Sequence, residues 1–600
     1  MAKRIGDYGL IGDGRTVALV GLDGSIDWFC PPRFDSPACF AALVGDPGNG
    51  RWRIAPAGRQ VRTHRRYRGN TLILETEFET DGGRCRLTDF MPVGSEAVTV
   101  VRMVTGLQGC VAMRMELIIR FEYGRLIPWV SRANHELVAM AGSDLVVLRT
   151  PVAHHGEGLT TVADFEIEAG QRQTFELAYG SAHRGMPKGI DVEKAMRGTE
   201  RYWRQWADQC TYRGPYRKAV VRSLLTIKAL TYRPTGGIIA APTTSLPERE
   251  KGIRNWDYRY CWLRDATLAL LSLMEAGYQT EAKEWQAWVE RAVAGAPSQL
   301  QPIYRIDGGH RLDQWKVPWL GGFNKARPVR VGNDSFVQLQ LDVYGEVMDA
   351  FHHARRNGLV PDERAWPFQK ALLDHLETLI DRADKSIWEF RGPAQHFTYS
   401  KVMCWVAYDR AVSAVDDFGL DGPVDRWRGL RSRLHEDICT HGFDRKLGSF
   451  VQAYGSGDLD ASCLLIPLVG FLPANDPRVV GTVDAIAKRL TRGGLVHRYD
   501  TREAEDALPE GEGAFLACSF WMADNLVLQG RVEEAQRLFE RLLDLRNDVG
   551  LLAEEYDLPG SCLLGNFPQT LSHLTLVDTA FNLQAAEGPA HKRPKHRPDE

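Results

Sequence analysis

The run Asn333-Asp334-Ser335-Phe336-Val337-Gln338-Leu339-Gln340-Leu341-Asp342-Val343-Tyr344-Gly345-Glu346-Val347-Met348-Asp349-Ala350-Phe351 decides the fold class. Val337, Leu341, Tyr344, Met348 and Phe351 fall at i, i+4, i+7, i+11 and i+14, one apolar stripe on a helix, with Asn333-Asp334-Ser335 as its N-cap. Val532, Ala535, Leu538, Phe539 and Leu542 repeat the pattern. Followed outward, this period predicts about twelve helices without intervening strands, at 217–233, 264–277, 280–295, 334–357, 365–382, 400–417, 425–440, 460–471, 477–491, 513–529, 531–546 and 569–586. Twelve such helices make six hairpins. Connections after even-numbered helices are mostly short, as in Gly277-Tyr278-Gln279 and Gly530-Arg531, whereas those after odd-numbered helices are long and rich in Trp, Tyr, Arg, Asp and Glu. In a closed ring of hairpins the long loops share one face, and that face is where a site is expected.

Towards the N-terminus the period falls to two. Thr71 to Thr80, the turn Asp81-Gly82-Gly83 and Arg84 to Phe90 read as strand, turn and strand, and Phe165, Ile167, Phe175, Leu177 and Tyr179 alternate with polar residues around Ala169-Gly170. Several such runs with almost no helical pattern predict an antiparallel β-sandwich. The Trp- and Arg-rich stretch Glu200 to Asp208 reads as a linker helix. The expected division is therefore a sandwich at 1–195, a linker at 196–215, a helical domain at 216–587 and a disordered basic tail at 588–600.

Composition narrows the function. The 600 residues carry 74 Lys+Arg against 77 Asp+Glu, so no basic field points to nucleic acid. No apolar run approaches the roughly 18–20 residues of a membrane span, and the start Met1 to Asp7 lacks an apolar signal core, so a cytoplasmic protein is expected. The eleven Cys are scattered singly, which reads as reduced thiols and not as disulfides or a zinc site. There is no HExxH, P-loop or GxGxxG, and His154-His155 reads as surface, so no metal or organic cofactor is expected. A homo-oligomer is left open.

Three long-loop segments carry candidate chemistry. In Arg254 to Asp265, the adjacent Arg264 and Asp265 beside Tyr258 and Trp262 suit a grip on vicinal hydroxyls, or equally a salt bridge at a helix start. In Ser386 to Gly392, Glu389 is flanked by Trp388 and Phe390, a setting that raises a carboxyl pKa, although an exposed Glu between two buried rings reads the same way. In Leu551 to Asp557, Glu554 or Glu555 is a candidate general base, and acidic clusters are also ordinary surface. Six helices separate the second loop from the third, half the circumference of the ring. Two carboxyl groups facing each other across a sugar-sized pocket is the arrangement of a glycosidase.

Gly6-Asp7-Tyr8-Gly9 with Asp23 to Trp28, Asp257 to Asp265, Arg327 to Asn333, Trp388-Glu389, Ala553-Glu554-Glu555, and Gly565 to Gln569 leading into Ser572-His573-Leu574 occur in the order that marks a family. Over nearly its full length the chain resembles bacterial members of glycoside hydrolase family 15, the glucoamylase and trehalase family. The resemblance implies a β-sandwich followed by an all-α (α/α)6 barrel and inversion at the anomeric carbon. It implies Glu389 as general acid and Glu554 as general base, with glucose held by Tyr258, Trp262, Arg264, Asp265 and Arg498, Trp388 and Glu555 completing the pocket. Glu555 stands where many members have Gln. Fungal glucoamylases carry a Trp before the Arg-Pro segment, where this chain has Phe323-Asn324-Lys325-Ala326, leaving Trp315 and Trp319 as an alternative platform. The expected activity is exo-hydrolysis of a small α-glucoside, trehalose slightly ahead of α-1,4-glucans. A disaccharide phosphorylase and a non-catalytic carbohydrate-binding protein are the rival classes.

Overall fold

The computed structural model describes residues 3–133, 136–359, 365–502 and 506–584; the expected basic tail at 588–600 lies outside them. Fourteen strands between Tyr8 and Ser181 pair antiparallel in two sheets that share one long strand, Val98–Ile118. The first half of this strand pairs with Gly83–Phe90 and Arg172–Ser181, and the second half with Arg51–Pro56 and Thr160–Glu168. The sheets close on an apolar core. Tyr67 of one sheet pins Leu10 of the other, accepting from its N–H at 2.9 Å and donating to its carbonyl at 2.8 Å.

Helix α1 (Val192–Ala207) follows, starting earlier than Glu200 because the Asp191 side chain caps it, accepting from Lys194 N–H at 2.9 Å. Among the described residues twelve further helices follow: α2 (Arg217–Ala229), α3 (Ala266–Glu275), α4 (Gln279–Val293), α5 (Asp342–Arg356), α6 (Ala365–Glu377), α7 (Thr398–Asp416), α8 (Val424–His441), α9 (Leu465–Leu468), α10 (Pro477–Arg489), α11 (Leu516–Leu528), α12 (Val532–Asp544) and α13 (Thr570–Gln584). The inner helices α3, α5, α7, α9, α11 and α13 each touch the next, and α13 returns to α3, so the ring closes as an (α/α)6 barrel. Its inner helices are apolar nearly all round, as in α11, where every residue from Leu516 to Val527 is buried. The outer helices bury one stripe, as in α12 with Ala535, Phe539 and Leu542. At α5 the packing is close enough to need glycine: a Cβ on Gly345 would lie 2.3 Å from the Met403 carbonyl oxygen of α7.

Two predicted helices differ from the structure. The stripe read from Asn333 begins only at Asp342, and Asn333 caps a short 3-10 turn, Asp334–Val337, with Val337 71% exposed. Extended backbone at Gln338 breaks the helix, and the Asp384 carboxylate accepts the Leu341 N–H at 3.0 Å. The helix expected at 460–471 is a 3-10 turn, Ala461–Leu464, running into the single turn α9. In both places the chain leaves helical geometry where it enters the loop face.

The sandwich braces that face. Trp28 donates its indole N–H to the Pro242 carbonyl at 2.7 Å, and Asn547 donates to the Gly6 and Tyr8 carbonyls. Arg259, fully buried, pairs with Asp257 at 2.6 Å and donates to the Ser36 carbonyl and Tyr123 hydroxyl of the sandwich. All eleven cysteines are free thiols. Among the described residues, no helix is long and apolar enough to cross a membrane.

Candidate active site

Six loops lead from an outer helix to an inner one, and every residue singled out for chemistry lies on them. A cavity opens on this face. It is lined by Glu248, Trp256, Tyr258 and Trp262 of the α2–α3 loop, Asn333 and Ser335 of α4–α5, Trp388 to Arg391 of α6–α7, and Arg498, Tyr499, Asp506 and Leu508 of α10–α11. The α8–α9 loop acts from behind: Asp460 accepts the Trp388 indole N–H at 2.9 Å.

Glu389 sits at φ 53°, the left-handed region that a non-glycine residue rarely adopts, with Ser386 at φ 64° three residues before it. Strain of this kind is kept where it aims a functional group. Trp262 donates its indole N–H to Glu389 Oε1 at 2.9 Å, and Arg264 Nη1 stands 3.6 Å from the same oxygen. Burial raises the Glu389 pKa, opposed by Arg264 and the Trp262 hydrogen bond. Arg264 is locked to Asp265 at 2.9 Å. Neither lines the loop cavity; Arg264 lines a second, smaller cavity inside the barrel.

Glu554 is buried beneath Tyr258, whose hydroxyl donates to Glu554 Oε1 at 2.6 Å, while Asn566 N–H donates to Oε2 at 3.2 Å. Burial, reinforced by the Glu248 carboxylate and opposed by Arg498, pushes its pKa up to about 8. The start of α13 fixes this loop. His573, held neutral by burial with its pKa lowered to about 3, accepts the Leu552 N–H at 3.2 Å, and Ser572 donates to the Ala553 carbonyl at 2.8 Å. Gly565, at φ 72°, has no substitute: a Cβ there would lie 2.5 Å from Glu554 Oε2. The Tyr258 and Trp262 rings, with centroids 5.1 Å apart, link the two carboxyl groups through Glu554–Tyr258 and Trp262–Glu389 contacts.

Arg498 does line the cavity, but its guanidinium is engaged by carboxylates. Its Nη2 lies 2.9 Å from Glu248, 2.6 Å from Glu512 and 3.5 Å from Glu555. These three carboxylates converge within 4.8 Å of one another, a spacing that suits a cation, and the Arg498 guanidinium supplies the positive charge among them. Glu555 is wholly buried, faces this cluster and the Gly513 N–H at 2.9 Å, and does not line the cavity. Burial and the Glu248 and Glu512 carboxylates raise its pKa far above the usual range. Trp315 and Trp319, the alternative platform, pack instead on the sandwich: Trp319 donates to the Tyr123 carbonyl at 2.9 Å, and Trp315 meets the Tyr123 ring edge-on. Sequence reasoning missed Glu248, Glu512 and Asp460, which lie in loops whose local composition matches ordinary polar surface. Trp256 and Arg391 lie within the segments Arg254 to Asp265 and Ser386 to Gly392, where no local pattern sets either apart.

A family model described as Glycosyl hydrolases family 15 matches residues 214–581, and one described as Trehalase-like, N-terminal matches residues 1–203. The chain is 37% identical over 630 residues to a trehalase of Mycobacterium tuberculosis, covering 97% of this chain and 90% of the relative. It is 34% identical over 586 residues to a trehalase of Thermoplasma volcanium, covering 96% and 93%. A bacterial glucoamylase solved in complex with acarbose has the same fold, with a TM-score of 0.70 over 97% of this chain and 94% of that one at 11% identity.

Proposed function

The chain belongs to glycosyl hydrolases family 15 and is a glycoside hydrolase, and from that premise we propose that it is an inverting, exo-acting hydrolase of trehalose. Glu389 gives its proton to the glycosidic oxygen as the bond from that oxygen to the anomeric carbon breaks. Glu554 takes a proton from the water that attacks the same carbon from the other face. The products are two glucose molecules, one released with inverted configuration. Arg264 and Asp265 hold the glucose that is attacked, and Tyr258, Trp262 and Trp388 shape its pocket. Arg498 and Glu555 act on the base through the carboxylate cluster. In this reading residues 1–195 brace the loop face, 196–215 connect, and 216–587 carry the chemistry.

The observation that carries the proposal is a pair of buried carboxyl groups joined through one aromatic pair, Glu389 bonded to Trp262 and Glu554 to Tyr258. Inversion needs about 6.5–9.5 Å between the two carboxyl groups to admit water. The relatives' trehalase activity supports the substrate, and a neutral disaccharide needs no steering field from a chain of net charge −3. A hydrolysis panel of trehalose, maltose, isomaltose, kojibiose and soluble starch, with the product anomer read by NMR, tests it. The expected result is fastest cleavage of trehalose, with α- and β-glucose appearing together in equal amounts before mutarotation. Preferred cleavage of starch moves the substrate to α-1,4-glucans, and retention of configuration removes the assigned roles.

A further inference from the structure

Glu389 stands between two arginines of unlike surroundings. Arg264, on the barrel side, is paired with Asp265. Arg391, two residues beyond Glu389, faces the loop cavity and forms no ion pair among the described residues. Its Nη2 donates to Ser335 Oγ at 3.0 Å, while Nε and Nη1 have no hydrogen-bond partner among those residues. Its guanidinium carbon lies 4.7 Å from the centre of the Trp256 ring, and that of Arg330 lies 4.4 Å from the same ring. Arg330 is tied to the Ile253 and Asn255 carbonyls at 3.0 and 2.7 Å, which fixes the indole in place.

A half-buried guanidinium with spare donors beside an indole face, without a carboxylate partner, matches a neutral polyhydroxylated ring. Hydroxyl oxygens accept from the guanidinium, and the C–H face of the sugar packs on the indole. With the attacked glucose at Arg264 and Asp265, the leaving glucose falls across Glu389 in the loop cavity. We propose that Arg391, with Trp256, grips the hydroxyls of the leaving glucose and so selects disaccharides by their second sugar. This rests on the hydrolase reading above.

The test compares wild type with Arg391→Ala on two substrates: the disaccharide that wild type cleaves fastest in the panel, and α-D-glucosyl fluoride, whose leaving group is a halide with nothing for Arg391 to hold. Loss of a hydrogen bond to a charged group predicts a fall in kcat/KM of roughly 10- to 100-fold on the disaccharide. On the fluoride the fall stays within about threefold, consistent with loss of leaving-group contacts alone. Fluoride hydrolysis also reports folding, and Arg391→Lys replaces the Ala variant if that one does not fold. Because the fluoride has little need of an acid catalyst, the alkaline limb of the disaccharide pH profile is read as well. It keeps its position if Arg391 binds the sugar and moves if Arg391 works through Glu389. Equal losses on both substrates, no loss on either, or a shifted alkaline limb overturns the proposal. If trehalose is not the preferred disaccharide, the substrate reading fails while the Arg391 comparison stands.

Discussion

In the proposed mechanism Glu389 and Glu554 have opposite tasks, and burial pushes both pKa values upward. For an acid this is direct help, since it keeps the proton near neutral pH. Replacing Glu389 by Gln should lower kcat on trehalose by about 10²- to 10⁴-fold, and much less on α-glucosyl fluoride; equal losses would show that Glu389 is not the acid. A base must be ionised to work, so its raised pKa sets a lower pH limit on activity. The Glu248 carboxylate contributes to that rise, so Glu248→Gln lets Glu554 lose its proton at lower pH. The acid limb of kcat/KM against pH should therefore move down. An unmoved limb would mean that Glu248 does not act on the base.

Each inner helix is entered from a loop that carries a site residue, so helix packing and site geometry are coupled. The clearest case is α5 against α7, where Gly345 lets the Met403 backbone approach. Gly345→Ala should destabilise the protein by about 1–3 kcal/mol through overpacking, read as a lower midpoint in urea. The strained α6–α7 loop that holds Glu389 ends at the start of α7, so kcat should fall with it. A Gly345→Ala variant of wild-type stability would mean that the helices separate without cost.

At the scale of the whole molecule, the sandwich acts as a brace for the α2–α3 loop. Arg259 is its main fastening: it satisfies Asp257, whose neighbour is Tyr258, and reaches two groups of the sandwich. Arg259→Met leaves a buried carboxylate unpaired and should cost about 3–5 kcal/mol, with unfolding followed by circular dichroism and tryptophan fluorescence. Activity should fall further than stability at temperatures where the variant is still folded, because Tyr258 loses its anchor. Unchanged stability would mean that water or another group reaches Asp257.

The sequence by itself determined the order of strands and helices, the alternation of long and short loops, and the segments holding Glu389 and Glu554. These are properties of periodicity and local motif, which depend on near neighbours. Only the tertiary structure decided that Glu389 stands at positive φ, that Val337 leaves the helix and stands exposed, and that Arg498 is held by Glu248, Glu512 and Glu555. Glu248 and Arg498 are 250 residues apart in the chain. No local pattern records that a charged side chain will meet three opposite charges, because the ring's closure, and not the neighbouring sequence, brings them together.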